Sequence, residues 1–204
     1  MKDTSSMKLM ISSLSPYARK VRMVIIEKGL SDQVEIVETM AYDKPQDLLT
    51  ANPLGKVPAL VRDDGTSLFD SPVICEYLDS LSDQNPLLPA AGEERWQVLR
   101  LLAFADGITD AAYLSTMERR RPEGEQSDTA WLAQRDKIVR SLDVLETDPP
   151  SDALNLGTLA LAACLGYVDF RHEDLNWREG RPALTAWLEP LSKRASFLET
   201  APGG

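Results

Sequence analysis

The chain has 204 residues, 43% of them hydrophobic and 26% charged, enough for one large globular domain or two small ones and unlike a fibrous or disordered chain. With 22 Lys/Arg against 32 Asp/Glu the net charge is −10, so duplex nucleic acid and anionic lipid are poor partners. Leu156 to Val168, the longest apolar stretch, is shorter than the roughly 18 residues of a membrane span. Met1 to Ser6 carries no secretory signal pattern and two cysteines cannot form a disulfide framework, which points to the cytoplasm.

In chain order, Lys8 to Ser12 reads as a short strand. Ser15-Pro16 then supplies an N-cap with proline at the first helical position, and Ala18, Val21, Val24 and Ile25 recur at helical spacing up to a stop at Gly29. Val34 to Val37 is β-branched and brief, completing a β-α-β unit. Ala59 to Arg62 and Thr66 to Phe69 flank Asp63-Asp64-Gly65, a strong hairpin signal. A second Ser-Pro pair, Ser71-Pro72, opens a helix striped by Val73, Ile74, Tyr77, Leu78 and Leu81.

Pro86, Pro89 and Gly92 interrupt the pattern and read as a linker. Beyond it the chain is helical: Glu93 to about Arg119, Ser127 to Leu145, an almost uniformly apolar and therefore central helix over Leu156 to Val168, and Pro182 to Leu191. The expected division is a small α/β domain over residues 7–82, a linker over 83–92 and an all-helical domain over 93–204. The first 82 residues hold 9 Lys/Arg and 12 Asp/Glu, leaving 13 and 20 for the rest, so the first domain is the less acidic. It also gathers Arg19, Lys20 and Arg22, either a solvated helix face or a local attraction for a small anion.

Two helices that begin Ser-Pro each offer unpaired N–H groups and a partial positive charge to an anion. At Ser71 the backbone N–H and hydroxyl suit a carboxylate, while Asp70 suits an ammonium group. Together they describe the α-amino acid end of a small molecule. Pro58 stands before a β run, where a cis bond would turn the N–H and C=O of Val57 towards an extended peptide-like ligand, and Lys56 would meet a terminal carboxylate.

Three segments in register resemble the glutathione transferases: Ser15-Pro-Tyr-Ala-Arg-Lys-Val-Arg22, Asn52-Pro-Leu-Gly-Lys-Val-Pro-Ala-Leu60 and Asp70-Ser-Pro-Val-Ile-Cys-Glu-Tyr-Leu78. Cys164 to Arg171, Asn176-Trp-Arg178 and Gly180 to Leu184 are similar to the helical domain of bacterial members. The resemblance implies a thioredoxin-like α/β domain (βαβ-ββα) followed by an all-α bundle, and a cytosolic homodimer. It implies glutathione as co-substrate, with its γ-glutamyl part at Asp70 and Ser71, its cysteinyl backbone at Val57, its glycine carboxylate at Lys56 and its thiol facing Ser15. The thiolate would then attack a small apolar electrophile. Ser12 and Ser13 are rivals of Ser15. Asp106 is a candidate contact to glutathione across the dimer, and Asp110 shares its helix face. Tyr17, Met40, Tyr113, Leu114 and Met117 are candidates for the second-substrate pocket.

The same resemblance leaves open a glutathione-dependent reductase, isomerase or dehalogenase, and a transferase-like protein that only binds. Asp70 is one methylene shorter than the family's usual glutamate. Asn155-Leu-Gly-Thr158 replaces the usual capping box of the central helix, and the cap is expected to persist without an ionic contact. Cys75 and Cys164 fall in apolar helical stretches and read as buried thiols. His172, the sole histidine, is expected at the surface; with one histidine and two separated cysteines no metal site is expected.

Overall fold

The computed structural model describes residues 7–202. The chain clusters into two compact units, one running through Arg95 and regaining the chain from Ala195 onwards, the other Trp96–Arg194.

The first unit is built on a four-stranded sheet in the order β2-β1-β3-β4, with β1 Met7–Ile11, β2 Val34–Glu38, β3 Ala59–Val61 and β4 Ser67–Leu68. β1 pairs parallel with β2 (Met7 opposite Val34) and antiparallel with β3 (Met10 opposite Ala59), and β3 pairs antiparallel with β4 (Leu60 opposite Leu68). The parallel pair requires a crossover helix, which is α1 Pro16–Glu27. β1 is buried at Met7, Leu9, Met10 and Ile11, so both faces of the sheet are covered. On one face Met10 and Ala59 pack with Leu48 and Ala51 of α2 Gln46–Ala51, a one-and-a-half-turn helix that the periodicity does not reveal. The Asp-Gly hairpin forms as expected, closed by Arg62 N–H to Thr66 O at 2.8 Å.

α3, Ser71–Ser80, packs against α1. The segment after it is no free tether. Asp79 accepts from the N–H groups of Leu87 and Leu88 at 2.9 Å each and pairs with Lys28 at 2.9 Å, and Lys28 also donates to the carbonyls of Ser82 and Gln84 at 2.8 Å. The Lys28–Asp79 pair is buried, as are Leu87 and Leu88, so the proline-rich stretch is fastened to the first unit.

The last residues also return to that unit. α8, Ala195–Leu198, packs on α1. Arg19 donates to Phe197 O at 3.0 Å and to Thr200 Oγ1 at 3.4 Å, with its guanidinium 4.2 Å from the Phe197 ring centre, and Arg22 donates to Glu199 O at 3.1 Å. Arg19 and Lys20 are buried. Both sequence expectations for this cluster therefore give way: it is neither a solvated face nor an open anion site, because Arg19 and Lys20 are buried and the C-terminal segment accepts from Arg19 and Arg22. The end of the chain, assigned by sequence to the helical domain, belongs to the first unit for the same reason.

The second unit contains the rest of α4 Glu93–Arg119, then α5 Asp128–Thr147, α6 Leu156–Arg171 and α7 Pro182–Ser192. α6 is buried from Leu156 to Val168. Its start is fixed by a reciprocal cap in which Asn155 Oδ1 accepts from Thr158 N–H and Thr158 Oγ1 accepts from Asn155 N–H, each at 2.9 Å. Gly157 lets α6 approach α4 closely, since a Cβ there would lie 2.9 Å from Val98 O and Leu101 Cβ. No helix among the described residues is long and apolar enough to cross a membrane.

Candidate functional site

The sheet register gathers the predicted residues at one end. Continuing the β1–β3 and β3–β4 pairings by one or two residues brings Ser12, Val57, Pro58 and Asp70 into a row at the C-terminal end of β1. This is also where α1 and α3 begin. The Val57–Pro58 and Phe69–Asp70 peptides are both cis.

Ser15 is the N-cap of α1, with extended backbone, and its Oγ accepts from Ala18 N–H at 3.3 Å while Pro16 occupies the first turn. A hydroxyl that accepts in this way keeps its own proton for another acceptor. Ser15 is half-buried, at the positive end of a 12-residue helix. Its rivals are engaged through their backbones: Ser12 O accepts from Ser15 N–H at 2.9 Å, and Ser13 N–H donates to the Glu38 carboxylate at 2.9 and 3.2 Å.

The two Ser-Pro pairs are not equivalent. In α3 the N-cap is Asp70, which makes no side-chain cap, and Ser71 is the first helical residue. Asp70 is exposed, and Ser71 is 2% exposed with no hydrogen bond to its hydroxyl among the described residues. Lys56 is exposed and makes no ion pair among them; the Val57 backbone N–H has no partner there either. A cation, a strand-like N–H, a hydroxyl with helix N–H groups and a carboxylate are thus left uncommitted along one sheet end.

Asn52 is the residue that sequence reasoning missed as a positioning group. It is buried, its Nδ2 donates to Lys56 O at 2.8 Å and its Oδ1 accepts from Leu54 N–H at 3.0 Å. Gly55 takes φ +62° in the same turn, a conformation that suits glycine. The Asn-Pro-x-Gly spacing is a turn signal that would have indicated it.

In the second unit, Tyr113 and Leu114 are exposed and Met117 half-buried on α4; Asp106 is half-buried and Asp110 exposed. In the first unit Met40 is exposed and Tyr17 half-buried. Cys75 and Cys164 are buried. His172 overturns its expected surface position: it is 4% exposed, with Nε2 2.9 Å from Ala112 O and 3.3 Å from Thr116 Oγ1. Burial lowers its pKa, a shift only partly offset by the bond to Ala112. Among the described residues no group of three His, Cys, Asp or Glu side chains is placed to hold a metal.

Comparison with known proteins places this arrangement in a family. Residues 14–81 match the glutathione S-transferase N-terminal domain and residues 108–189 the C-terminal domain. The chain is 40% identical over 201 residues to an uncharacterized GST-like protein, YibF, of Escherichia coli K12, covering 96% of this chain and 98% of that protein. It is 37% identical over 210 residues to a stringent starvation protein A homolog of Histophilus somni, covering 96% and 90%. Among solved structures it is similar to a glutathione S-transferase from Methylobacillus flagellatus KT with GSH bound, at TM-score 0.91 and 40% identity, covering 97% of this chain and all (100%) of that one. A glutathione transferase family member from Pseudomonas fluorescens Pf-5 with bound glutathione gives TM-score 0.91 and 40% identity, covering 98% and 100%. With its thioredoxin-like sheet, its helical second unit and matches to both domains, the chain belongs to the glutathione S-transferase family.

Proposed function

We propose that the protein binds glutathione along the sheet end and transfers its thiolate to a small apolar electrophile. The observation that carries this reading is the uncommitted set Lys56, Val57, Asp70 and Ser71, whose order along one edge suits the glycine carboxylate, the cysteinyl backbone and the two charged groups of the γ-glutamyl end. The glutathione-bound relatives of matching fold support it. A free thiol has a pKa of about 8.5 and is mostly protonated at neutral pH, whereas the thiolate is the nucleophile. Ser15, donating its hydroxyl proton to sulfur at the N-terminus of α1, stabilises the anion without itself ionising. Tyr113, Leu114 and Met117 supply apolar surface for the electrophile, with Tyr17 and Met40 as further contacts, and Asp106 approaches glutathione from a second copy in a cytosolic homodimer.

The test is glutathione titration with thiolate absorbance as readout, wild type against Ser15→Ala. The expected result is retained binding and lost ionisation in the variant. Equal ionisation by both proteins removes the role of Ser15. A second reading, binding without transfer, is favoured by the relatives named stringent starvation protein A homologs, whose names carry no transferase activity. It predicts no turnover with a panel of electrophiles and disulfides, and a panel in which only disulfides react would instead mark a reductase.

A further inference from the structure

The helical unit contains a cationic cavity that the glutathione reading leaves unused. Its volume is about 300 Å³, and it lies among the C-terminal ends of α4 and α6 and the first turns of α5. Four arginines line it: Arg119 and Arg120 at the end of α4, Arg135 from α5 and Arg171 from α6. Asp174 is the one carboxylate in the lining and pairs with Arg135 at 2.7 Å. Arg119 is paired from outside the lining by Asp128 at 2.8 Å. The Trp131 ring carries the Arg119 and Arg135 guanidinium groups at 4.0 and 4.5 Å from its centre, which fixes both.

Arg120 and Arg171 make no ion pair among the described residues, so four guanidinium groups face two carboxylates and two positive charges remain. This surplus stands out in a chain of net charge −10. Two buried polar atoms of the lining residues, Ser115 Oγ and Arg171 Nε, also have no hydrogen-bond partner among the described residues. Buried polar groups are nearly always paired, because leaving one unpaired forfeits its hydration. Ser115 is fully buried in the wall of that cavity.

We propose that this cavity binds a small phosphate-type dianion, either inorganic phosphate or the phosphate of a monoester. Two guanidinium groups without an ion pair match two negative charges, and guanidinium donors arriving from separate helices suit a tetrahedral oxyanion better than a planar carboxylate. The volume leaves room for the carbon part of an ester.

Isothermal titration of the full chain near neutral pH and at low salt, with inorganic phosphate and separately with glycerol phosphate, tests the assignment. Saturable one-to-one binding is expected, weakened about tenfold in Arg171→Gln, in line with the loss of charge-assisted bonds. Tighter binding of the ester identifies a phosphorylated compound as the source; tighter binding of the free ion identifies phosphate itself. If circular dichroism shows Arg171→Gln unfolded, Arg120→Gln, which removes an exposed and unpaired arginine, replaces it with the same expected loss. Absence of saturable binding for both ligands, equal affinity in wild type and variants, or equal affinity for succinate overturns the proposal.

Discussion

At the scale of single residues, the groups assigned to glutathione are defined by what they lack as much as by what they touch. Ser71→Ala removes a hydroxyl without a partner among the described residues, so it is expected to weaken glutathione binding by about 1–2 kcal/mol, roughly five- to thirtyfold, with little change in melting temperature. Equilibrium titration beside a thermal melt separates the two effects. His172 behaves in the opposite way, since it is buried with its Nε2 against Ala112 O and Thr116 Oγ1, and its titration is linked to stability. Its folded pKa lies below the ordinary value of 6.5, so the unfolded chain binds the proton first. The stability it contributes is present above about pH 6.5 and falls as the pH drops below that value. Urea midpoints from pH 7.5 down to 5 are expected to decline, and His172→Gln is expected to flatten the His-dependent part of that decline. The positions of Ser15, Lys56 and Ser71 were legible in the sequence because each sits in a local signal: a Ser-Pro helix start or an X-Pro before a strand. Burial of His172 was not, because its partners Ala112 and Thr116 come from another helix some sixty residues away.

At the scale of elements, two devices fix the helical unit and the stretch before it. Gly157→Ala forces a methyl group to within 2.9 Å of Val98 O and Leu101 Cβ, so α6 and α4 must separate. A loss of about 1–3 kcal/mol is expected from chemical denaturation, as for overpacking generally. The Lys28–Asp79 pair is buried and holds the proline-rich stretch through five carbonyl and N–H contacts. Removing one partner strands the other, so Asp79→Ala is expected to cost about 3–5 kcal/mol and to raise protease cleavage between residues 82 and 92. Unchanged cleavage there would show that the stretch is held by other means. The long helices were legible from period and caps, whereas α2 and α8 were missed because six and four residues carry too little periodicity to distinguish a helix from a loop.

At the scale of the whole molecule, the chain closes on itself. The C-terminal segment packs on α1 and accepts from Arg19 and Arg22, so deleting residues from Ala195 onwards is expected to strip both arginines of those partners. A lowered melting temperature with partial recovery in the full-length Arg19→Met variant, whose aliphatic side chain keeps the packing against Phe197, would be the signature of that loss. Sequence by itself determined the two-part architecture, the hairpin, the capped central helix and the local motifs on which the proposed glutathione site rests, because each depends on neighbours a few residues apart. Only tertiary structure decided which charges are free. Arg19, Lys20 and Arg22 look available in the sequence, yet Arg19 and Lys20 are buried and Arg22 is bound to Glu199 O, while Arg120 and Arg171 look unremarkable and carry no ion pair among the described residues. The reason is that the solvation and pairing of a charge are set by residues far away in sequence, and no local pattern encodes them.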